Sequence, residues 1–276
     1  MIPSRHLLYE HAVQSPRWQV DYLPQFHRIL TGKKALRFRE DFCGSARISC
    51  EWVKKSSGHR AVGLDLDPEV LDYARSVNLA QLNPRQQGRL QLLCKDVLRP
   101  PVGEFDWIGA FNFSFYSFHE RTMLLRYAKS VYRSLASNGT VFLEMAGGSG
   151  FVEPYSDTKV IRVPGVGKVR QIWEQHAFDP ISALCDYSIH FDLGKKGWLN
   201  DAFTYHWRIW TVREVREVLM EAGFDRTVVL WEKPDARGEG SGEFEIREDA
   251  EPLHSWVAYV VGVKGRPAHI RRKTPR

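Results

Sequence analysis

The sequence predicts an α/β fold, in which a mostly parallel, doubly wound sheet carries helices on both faces. Between residues 35 and 150, five short apolar or β-branched segments alternate with helix-like segments, which is typical of strand–helix crossovers. After residue 150 the pattern changes to aromatic-rich segments separated by turn signals, which indicates inserted antiparallel strands. A chain of 276 residues is long enough for one such domain with additions.

Residues 1–33 are predicted to form an N-terminal helical lid made of two helices, divided at Pro16. Apolar residues recur after the proline at three- and four-residue spacing and would form one buried face: Tyr22, Leu23, Phe26, Ile29 and Leu30. Such helices either cover the edge of the sheet or close over a ligand. In the second case Tyr9 would contribute an aromatic face, so Tyr9 is a candidate pocket residue.

The first strand–turn–helix unit contains the clearest functional signal. An apolar segment from Ala35 leads into the turn EDFCGSA (residues 40–46), a helix-like segment follows, and a second apolar segment ends on Asp65. A dinucleotide site needs three glycines in this turn, whereas this turn has only Gly44, and its acidic residues would repel a pyrophosphate. An acid about 20 residues after such a turn can accept hydrogen bonds from ribose hydroxyls.

This unit resembles that of the class I S-adenosylmethionine-dependent methyltransferases. In that family an acid-x-x-Cys-Gly-x-Gly turn holds the methionine end of the cofactor, and an acid after the second strand binds its ribose. Glu40, Cys43 and Gly44 match this turn, whereas Phe42 and Ala46 depart from the family's glycine-rich form. The resemblance implies S-adenosylmethionine as cofactor and S-adenosylhomocysteine as product. It implies cofactor contacts from this stretch by Glu40, Phe42, Cys43, Gly44, Asp65 and Leu66.

Two later strand ends extend the resemblance. The third strand, residues 90–94, is followed by Asp96 and Val97, which match the family's position for binding the adenine amino group. A lone Asp at a strand end would otherwise indicate a turn. The fourth strand, residues 105–111, leads into Asn112 and Phe113 at the edge of the sheet where parallel strands open a crevice. We therefore expect Asn112 and Phe113 to line the methyl-transfer site, where aromatic faces can contact a sulfonium.

The remaining elements complete a seven-stranded sheet built from residues 34–150 and 211–263, a Rossmann-like domain that would bind S-adenosylmethionine. A helix over residues 120–136 and a fifth strand over 140–145 come first. After the insertion, the capping box Thr211-x-x-Glu214 begins a helix. Two closing strands follow at 228–231 and 256–263, and in the family the last one runs antiparallel. Residues 233–253 are rich in Gly and Glu and are predicted to form a surface loop.

The inserted segment, residues 151–210, is predicted to hold three antiparallel strands that shape the acceptor pocket. Side-chain alternation along residues 202–210 places Thr204, His206 and Arg208 on one face and Tyr205 and Trp207 on the other. His206 would be a base near neutral pH, and Arg208 would bind an acidic acceptor. A solvated polar face is an equally good interpretation. The catalytic candidates are His206, Tyr205, Arg208 and Asn112, followed by His119, Trp173 and Glu174.

Charge and composition argue against several other classes of protein. The net charge of +6 lies in the basic tail, residues 264–276, which has six Lys or Arg and no acid, while residues 1–263 hold 33 of each sign. Such a tail is more typical of a solvated end than of a nucleic-acid site. No segment has the apolar length of a membrane helix or a signal peptide, and the four cysteines lack metal-site spacing. We therefore expect a cytoplasmic protein that binds no metal and no membrane.

Together these features predict a methyltransferase that transfers a methyl group by direct displacement to an O or N atom of a small-molecule acceptor. The donor is already activated, so the protein mainly aligns the acceptor and excludes water. Two alternatives stay open: a methyltransferase acting on RNA or protein, and a non-catalytic module that binds the same cofactor. The oligomeric state is not predicted.

Overall fold

A computed structural model of the protein describes residues 2–235 and 240–265. Its helices are α1 (Arg5–Ala12), α2 (Pro16–Thr31), α3 (Arg47–Lys55), α4 (Pro68–Tyr73), α5 (Pro84–Gln87), α6 (Arg121–Ser134) and α7 (Val212–Glu221). Its strands are β1 (Arg37–Asp41), β2 (Arg60–Asp65), β3 (Leu90–Cys94), β4 (Phe105–Ala110), β5 (Leu135–Gly147), β6 (Tyr155–Val163), β7 (Gly167–Asp179), β8 (Leu184–Asp192), β9 (Trp198–Arg208), β10 (Arg226–Pro234), β11 (Gly240–Arg247) and β12 (Trp256–Val263).

The larger sheet has the strand order β11–β10–β12–β5–β4–β1–β2–β3. Strands β1 to β5 pair in parallel, and β12 lies antiparallel between β5 and β10. The predicted α/β fold is therefore confirmed. Apolar side chains cover both faces of this sheet, with α6 and α7 on one side and α2 and α3 on the other.

The larger sheet has eight strands where the sequence predicted seven. The additional strand is β11, which pairs antiparallel with β10 at the edge, so the prediction of a surface loop over 233–253 was wrong for this part of the segment. An edge strand has one neighbour and needs no continuous apolar face, which is why its Gly- and Glu-rich sequence resembled a loop.

The inserted segment forms a second sheet of four antiparallel strands in the order β6–β7–β8–β9. The three predicted strands correspond to β7, β8 and β9. The sequence prediction missed β6, which lies at the sheet edge and is mostly exposed, so its residues show little apolar alternation.

The two N-terminal helices divide at Pro16, as the sequence predicted. Helix α2 packs on the larger sheet, whereas α1 packs on the second sheet through Leu8, which is fully buried. The Glu10 carboxylate of α1 accepts hydrogen bonds from Arg47 (2.9 Å) and Asn78 (2.6 Å). Helix α1 thus joins the second sheet to the larger one.

Three sequence predictions concern the surface and the tail. Residues 266–276 of the basic tail lie outside the described residues. Across residues 2–235 and 240–265, no helix combines the length and apolar character needed to span a membrane. The same residues contain no cluster of three His, Cys, Asp or Glu side chains suited to a metal ion.

Candidate functional site

The turn after β1 has a backbone conformation that glycine normally supplies. Phe42 and Ala46 both have φ of +56°, and Gly44 has φ of +51°. A left-handed conformation costs a residue with a Cβ atom about 1–2 kcal/mol. The two positions that depart from the family's glycine pattern therefore keep the glycine-like path of the chain at an energetic cost.

Packing and hydrogen bonds hold this turn in place. The Phe42 ring lies 5.8 Å from the ring of Phe118 and 5.9 Å from that of Tyr127, and Ala46 is fully buried. The Cys43 amide donates to the carbonyl of Leu64 (2.8 Å). These contacts offset the strain and fix the turn against the end of β2.

Asp65 connects the end of β2 to the turn. Its Oδ2 accepts a hydrogen bond from the Gly44 amide at 2.7 Å, and its Oδ1 accepts one from the Asp67 amide at 3.0 Å. Burial raises the pKa of the Asp65 carboxyl, and these two amide donors oppose that rise. The carboxylate is therefore positioned beside the bare backbone of the turn.

A crevice of about 430 Å³, termed the first cavity, opens where these elements meet. Its walls come from the turn, the ends of β2 and β4, helix α1 and strand β9, and include Tyr9, Phe42, Gly44, Ser45, Asp65, Asn112, Phe203, Tyr205 and Trp207. A Cβ atom placed on Gly44 would have no protein atom within 4 Å. The glycine therefore leaves backbone open to a ligand.

A second cavity of about 460 Å³ meets the first at Asn112, which lines both. Asn112 and Phe113 have φ of +52° and +58°, so the chain turns sharply after β4. The Glu144 carboxylate accepts hydrogen bonds from the Asn112 amide (2.5 Å) and from the Tyr259 hydroxyl (2.8 Å). Burial raises the pKa of Glu144, and the two donors oppose this.

Of the comparisons with known proteins, only the one with solved structures finds similar proteins. No family model matches the chain, and no curated protein matches its sequence. DesVI of Streptomyces venezuelae has a TM-score of 0.69 and 16% identity over 95% of this chain and 97% of DesVI. CalS10, an amino pentose methyltransferase from Micromonospora echinaspora solved with S-adenosylmethionine, has a TM-score of 0.66 and 14% identity over 94% of this chain and 97% of CalS10. KedS8, a sugar N-methyltransferase from Streptoalloteichus, has a TM-score of 0.66 and 15% identity over 96% of this chain and 94% of KedS8.

The chain has the class I methyltransferase fold. All three similar structures extend over nearly its whole length, including the second sheet. The identities of 14–16% explain why sequence comparison does not detect the likeness.

The structure brings only some of the predicted cofactor residues to the first cavity. Tyr9, Phe42, Gly44, Asp65 and Asn112 line it, whereas Phe113 lines the second cavity.

Glu40 does not line either cavity, because β1 extends to Asp41 and makes Glu40 a strand residue. Its carboxylate accepts hydrogen bonds from the Ser49 amide (2.8 Å) and hydroxyl (2.5 Å) in α3. Burial raises the pKa of Glu40 to about 8. Glu40 thus connects β1 to α3 beneath the turn.

Four other predicted residues also lie outside the cavity walls. The Cys43 side chain is buried against Gly63 of β2. A Cβ atom added to Gly63 would lie 2.9 Å from the Cys43 sulfur. Leu66 points to solvent, and Val97 belongs to the core. The Asp96 carboxylate accepts a hydrogen bond from the Leu98 amide (2.8 Å), which is the turn role that the sequence also allowed.

The predicted catalytic residues divide between the two faces of β9. Tyr205 and Trp207 line the first cavity, whereas His206 and Arg208 line neither cavity. His206 contacts Asp186 (2.6 Å), and Arg208 contacts Glu214 (3.1 Å) and lies over the Trp210 ring. Thr204, which the alternation puts on the same face as His206, also lines the first cavity, so contact with the cavity does not follow the predicted faces strictly. We therefore assign no chemical step to His206 or Arg208.

The second-rank candidates have separate environments. His119 Nε2 contacts the carbonyl oxygen of His206 (2.7 Å), and the Glu174 carboxylate contacts His190 (3.0 Å). Neither His119 nor Glu174 lines a cavity described above, whereas Trp173 lines the second one.

Sequence reasoning missed several residues of the site. Ser45 and Gln14 line the first cavity, and Glu144 and Gln171 line the second. For Glu144 a signal was present, since it is the single charged residue in the apolar segment VFLEMA (residues 141–146). A charge within a central strand is costly unless it has a function or a partner. The other three residues had no local signal.

Proposed function

We propose that the protein is a methyltransferase that uses S-adenosylmethionine to methylate an O or N atom of a small molecule by direct displacement. The observation that carries the proposal is the hydrogen bond from the Gly44 amide to Asp65 at the mouth of the first cavity. This hydrogen bond places the accessible backbone at Gly44 next to the Asp65 carboxylate. A ligand with an amino acid end and a ribose needs both groups. CalS10 is an amino pentose methyltransferase and KedS8 a sugar N-methyltransferase, which supports the same reaction and a small acceptor.

The residues of the first cavity fit such a cofactor. Its volume lies within the range of about 300–1,000 Å³ that is usual for small-molecule sites. The Ser45 hydroxyl and the Gln14 Oε1 are buried and have no hydrogen-bond partner among the described residues. Buried polar groups are normally paired, so both are available to a ligand. When bound, the cofactor supplies a methyl group on a positively charged sulfur.

Each residue has a proposed part in holding this group. Gly44 gives close approach to the backbone, Asp65 accepts hydrogen bonds from the ribose hydroxyls, and Tyr9, Phe42 and Asn112 form the walls. Asp96 stays our proposal for the adenine end. It follows Lys95, whose amide donates to the Asp65 carbonyl at 2.9 Å, so it lies beside the ribose position.

Aromatic side chains of the cavity exclude water from the reacting atoms. Burial raises the pKa of Tyr9 to about 12 and raises the pKa of Tyr205 well above its ordinary value. Both phenols therefore keep their protons near neutral pH. The four cysteines are free thiols, which supports the proposed cytoplasmic location.

Isothermal titration with S-adenosylmethionine and S-adenosylhomocysteine tests the cofactor assignment. We expect both to bind, and we expect Asp65→Asn to weaken binding roughly tenfold or more, because a charged acceptor is lost. Asp72→Asn is the matched control, since Asp72 lies on the exposed side of α4 and contacts Arg75. Folded wild-type protein that binds neither compound would refute the proposal.

Transfer of a radiolabelled methyl group into a fractionated cell extract tests the acceptor class. We expect the label in the small-molecule fraction. Label in RNA or protein would support a methyltransferase that acts on a macromolecule. Cofactor binding without any transfer would support the non-catalytic module.

A further inference from the structure

The second cavity has an excess of negative charge and of hydrogen-bond acceptors. Among its described lining residues, the charged side chains are Glu144, Glu232 and Asp157, opposed only by Lys159. Glu232 Oε1 accepts a hydrogen bond from the Gly242 amide at 2.8 Å, and burial raises the pKa of its carboxyl. A ligand of this cavity should therefore be a cation or a donor of hydrogen bonds.

Two glutamine side chains give an independent indication. Gln19 and Gln171 line the second cavity and are 3% and 6% exposed, respectively. The Oε1 atom of each is buried and has no hydrogen-bond partner among the described residues. A buried acceptor without a partner destabilises the protein. A bound molecule that donates a hydrogen bond to each of these oxygens would therefore be favoured.

Glu144 lies where this cavity meets the first one. The Asn112 amide and the Tyr259 hydroxyl each donate to a different oxygen of its carboxylate, which fixes the orientation of the group. A carboxylate has about four acceptor positions, so two stay available to a ligand. Asn112 lines both cavities, and Glu144 is therefore close to the place where donor and acceptor meet.

Aromatic rings form the wall beside this carboxylate. Trp18 stacks on Tyr259 with ring centroids 5.8 Å apart, and Phe244 lies 4.9 Å from Trp18 and 5.1 Å from Tyr259. Aromatic faces together with carboxylates are suited to an organic ammonium group, which is attracted by both.

We propose that the second cavity binds the acceptor as an amine and that Glu144 is the carboxylate that binds its nitrogen. This inference rests on the proposed function. A protonated amine has no free electron pair, so it must lose a proton before it can accept a methyl group. That proton passes from nitrogen to the Glu144 carboxylate, which leaves a neutral amine and a neutral acid, and the acid later returns the proton to water. The raised pKa of Glu144 is in accord with this step.

The test compares two probes of similar shape, cyclohexylamine and cyclohexanol, on the full chain saturated with S-adenosylhomocysteine. Binding is followed by isothermal titration, so the readout does not depend on turnover. We expect the wild-type protein to bind the amine roughly tenfold or more tightly than the alcohol, because only the amine is a charged donor. Glu144→Gln should remove this preference.

Glu243→Gln is the matched control and should keep the preference. Glu243 precedes Phe244 in β11, its side chain is 74% exposed, and it does not line the cavity. Affinity for S-adenosylhomocysteine reports whether each variant is folded. If Glu144→Gln does not fold, Glu232→Gln should reduce the preference for the amine.

The possible outcomes separate the inference from the proposed function. Wild-type protein that binds S-adenosylhomocysteine but binds both probes equally, or neither, overturns the amine assignment alone. An amine preference that survives in folded Glu144→Gln, or in Glu232→Gln where Glu144→Gln does not fold, does the same. Failure to bind S-adenosylhomocysteine overturns the proposed function itself.

Discussion

At the scale of single residues, the turn after β1 combines strain with burial. Phe42 and Ala46 have the left-handed conformation although both carry a Cβ atom. Phe42 lines the first cavity, whereas Ala46 is fully buried and precedes α3 as its N-cap residue. The shape of the turn is therefore maintained by the surrounding packing.

We predict that Ala46→Gly leaves the free energy of unfolding unchanged or raises it by up to about 1 kcal/mol, because release of the strained conformation offsets the lost methyl group. Ala74→Gly is the control. Ala74 is equally buried but has φ of −57°, so this variant should lose about 1–2 kcal/mol. Urea unfolding followed by fluorescence measures both. Equal destabilisation of the two variants would show that the turn is not strained.

Glu40 should make stability depend on pH. Its pKa is about 8 in the folded protein against 4.5 for an ordinary glutamate, so folding favours the protonated form. Below pH 4.5 the group is protonated in both states. Between about pH 4.5 and 8 only the unfolded state ionises freely, so stability falls as pH rises, by up to several kcal/mol.

The variant Glu40→Gln cannot ionise and should not have this loss. Its stability relative to the wild type should therefore increase from pH 5 to pH 8 in urea unfolding. Glu51→Gln is the matched control, since Glu51 contacts Lys54 near the surface of α3. A difference between Glu40→Gln and wild type that stays constant with pH would contradict the prediction.

At the scale of elements, α1 is a short helix that contacts the second sheet and, through Arg5 and His6, Glu69 of α4. Its Glu10 carboxylate is 1% exposed and contacts Arg47 and Asn78, and its Tyr9 forms part of the first cavity. The position of this helix should therefore control how tightly the cavity closes.

We predict that Glu10→Ala speeds hydrogen exchange of the α1 amides and weakens S-adenosylhomocysteine binding. The lost hydrogen bonds to a charged group are worth roughly 1–3 kcal/mol. Asp21→Ala is the control. It removes the exposed ion pair between Asp21 of α2 and Lys55 of α3 and should change neither measurement. Unchanged protection of α1 in Glu10→Ala would show that the hydrogen bonds of Glu10 do not hold the helix.

The strands also show how far sequence alone can predict this fold. The central strands of the larger sheet were found, because strands buried on both faces are mostly apolar. Strand β1 is an exception, since it buries Arg39, Glu40 and Asp41, and the sequence placed the last two in the turn. The two missed strands, β6 and β11, are edge strands whose polar residues face solvent. Their pairing depends on a neighbouring strand and has no local signal.

The candidate site was less predictable than the fold. Gly44 and Asp65 could be located because their spacing follows from a short strand–helix–strand unit. The cavity contacts of Phe203 and the open acceptor atoms of Gln171 arise from the second sheet folding against the first, which no local pattern encodes. His206 and Arg208 were selected for their chemistry, but the face of β9 that meets the cavity is decided by packing.

At the scale of the whole molecule, positive charge is unevenly distributed along the chain. Residues 1–263 hold equal numbers of acidic and basic residues, and the excess lies in 264–276. A neutral body with two cavities of this size fits a small acceptor better than a polyanion, whose binding requires many basic contacts.

We predict that a chain shortened after Gly265 keeps its affinity for S-adenosylhomocysteine and for its small acceptor. The full chain should bind a short single-stranded RNA only weakly, with affinity that falls as salt increases, and the shortened chain should lose this binding. Fluorescence anisotropy at several salt concentrations measures the slope. Tight RNA binding that survives the truncation would favour a macromolecular acceptor.

The meeting of the two cavities at Asn112 also suggests a route for protein engineering. The proposed donor side is built from α1, the β1 turn, β9 and the ends of β2 and β4, whereas the proposed acceptor side draws on α2, β5, β6, β7 and the closing strands. A designer could therefore diversify the acceptor half as a library while leaving the donor half untouched. The boundary itself should accept few replacements, because two successive left-handed residues tolerate glycine and asparagine but penalise branched side chains.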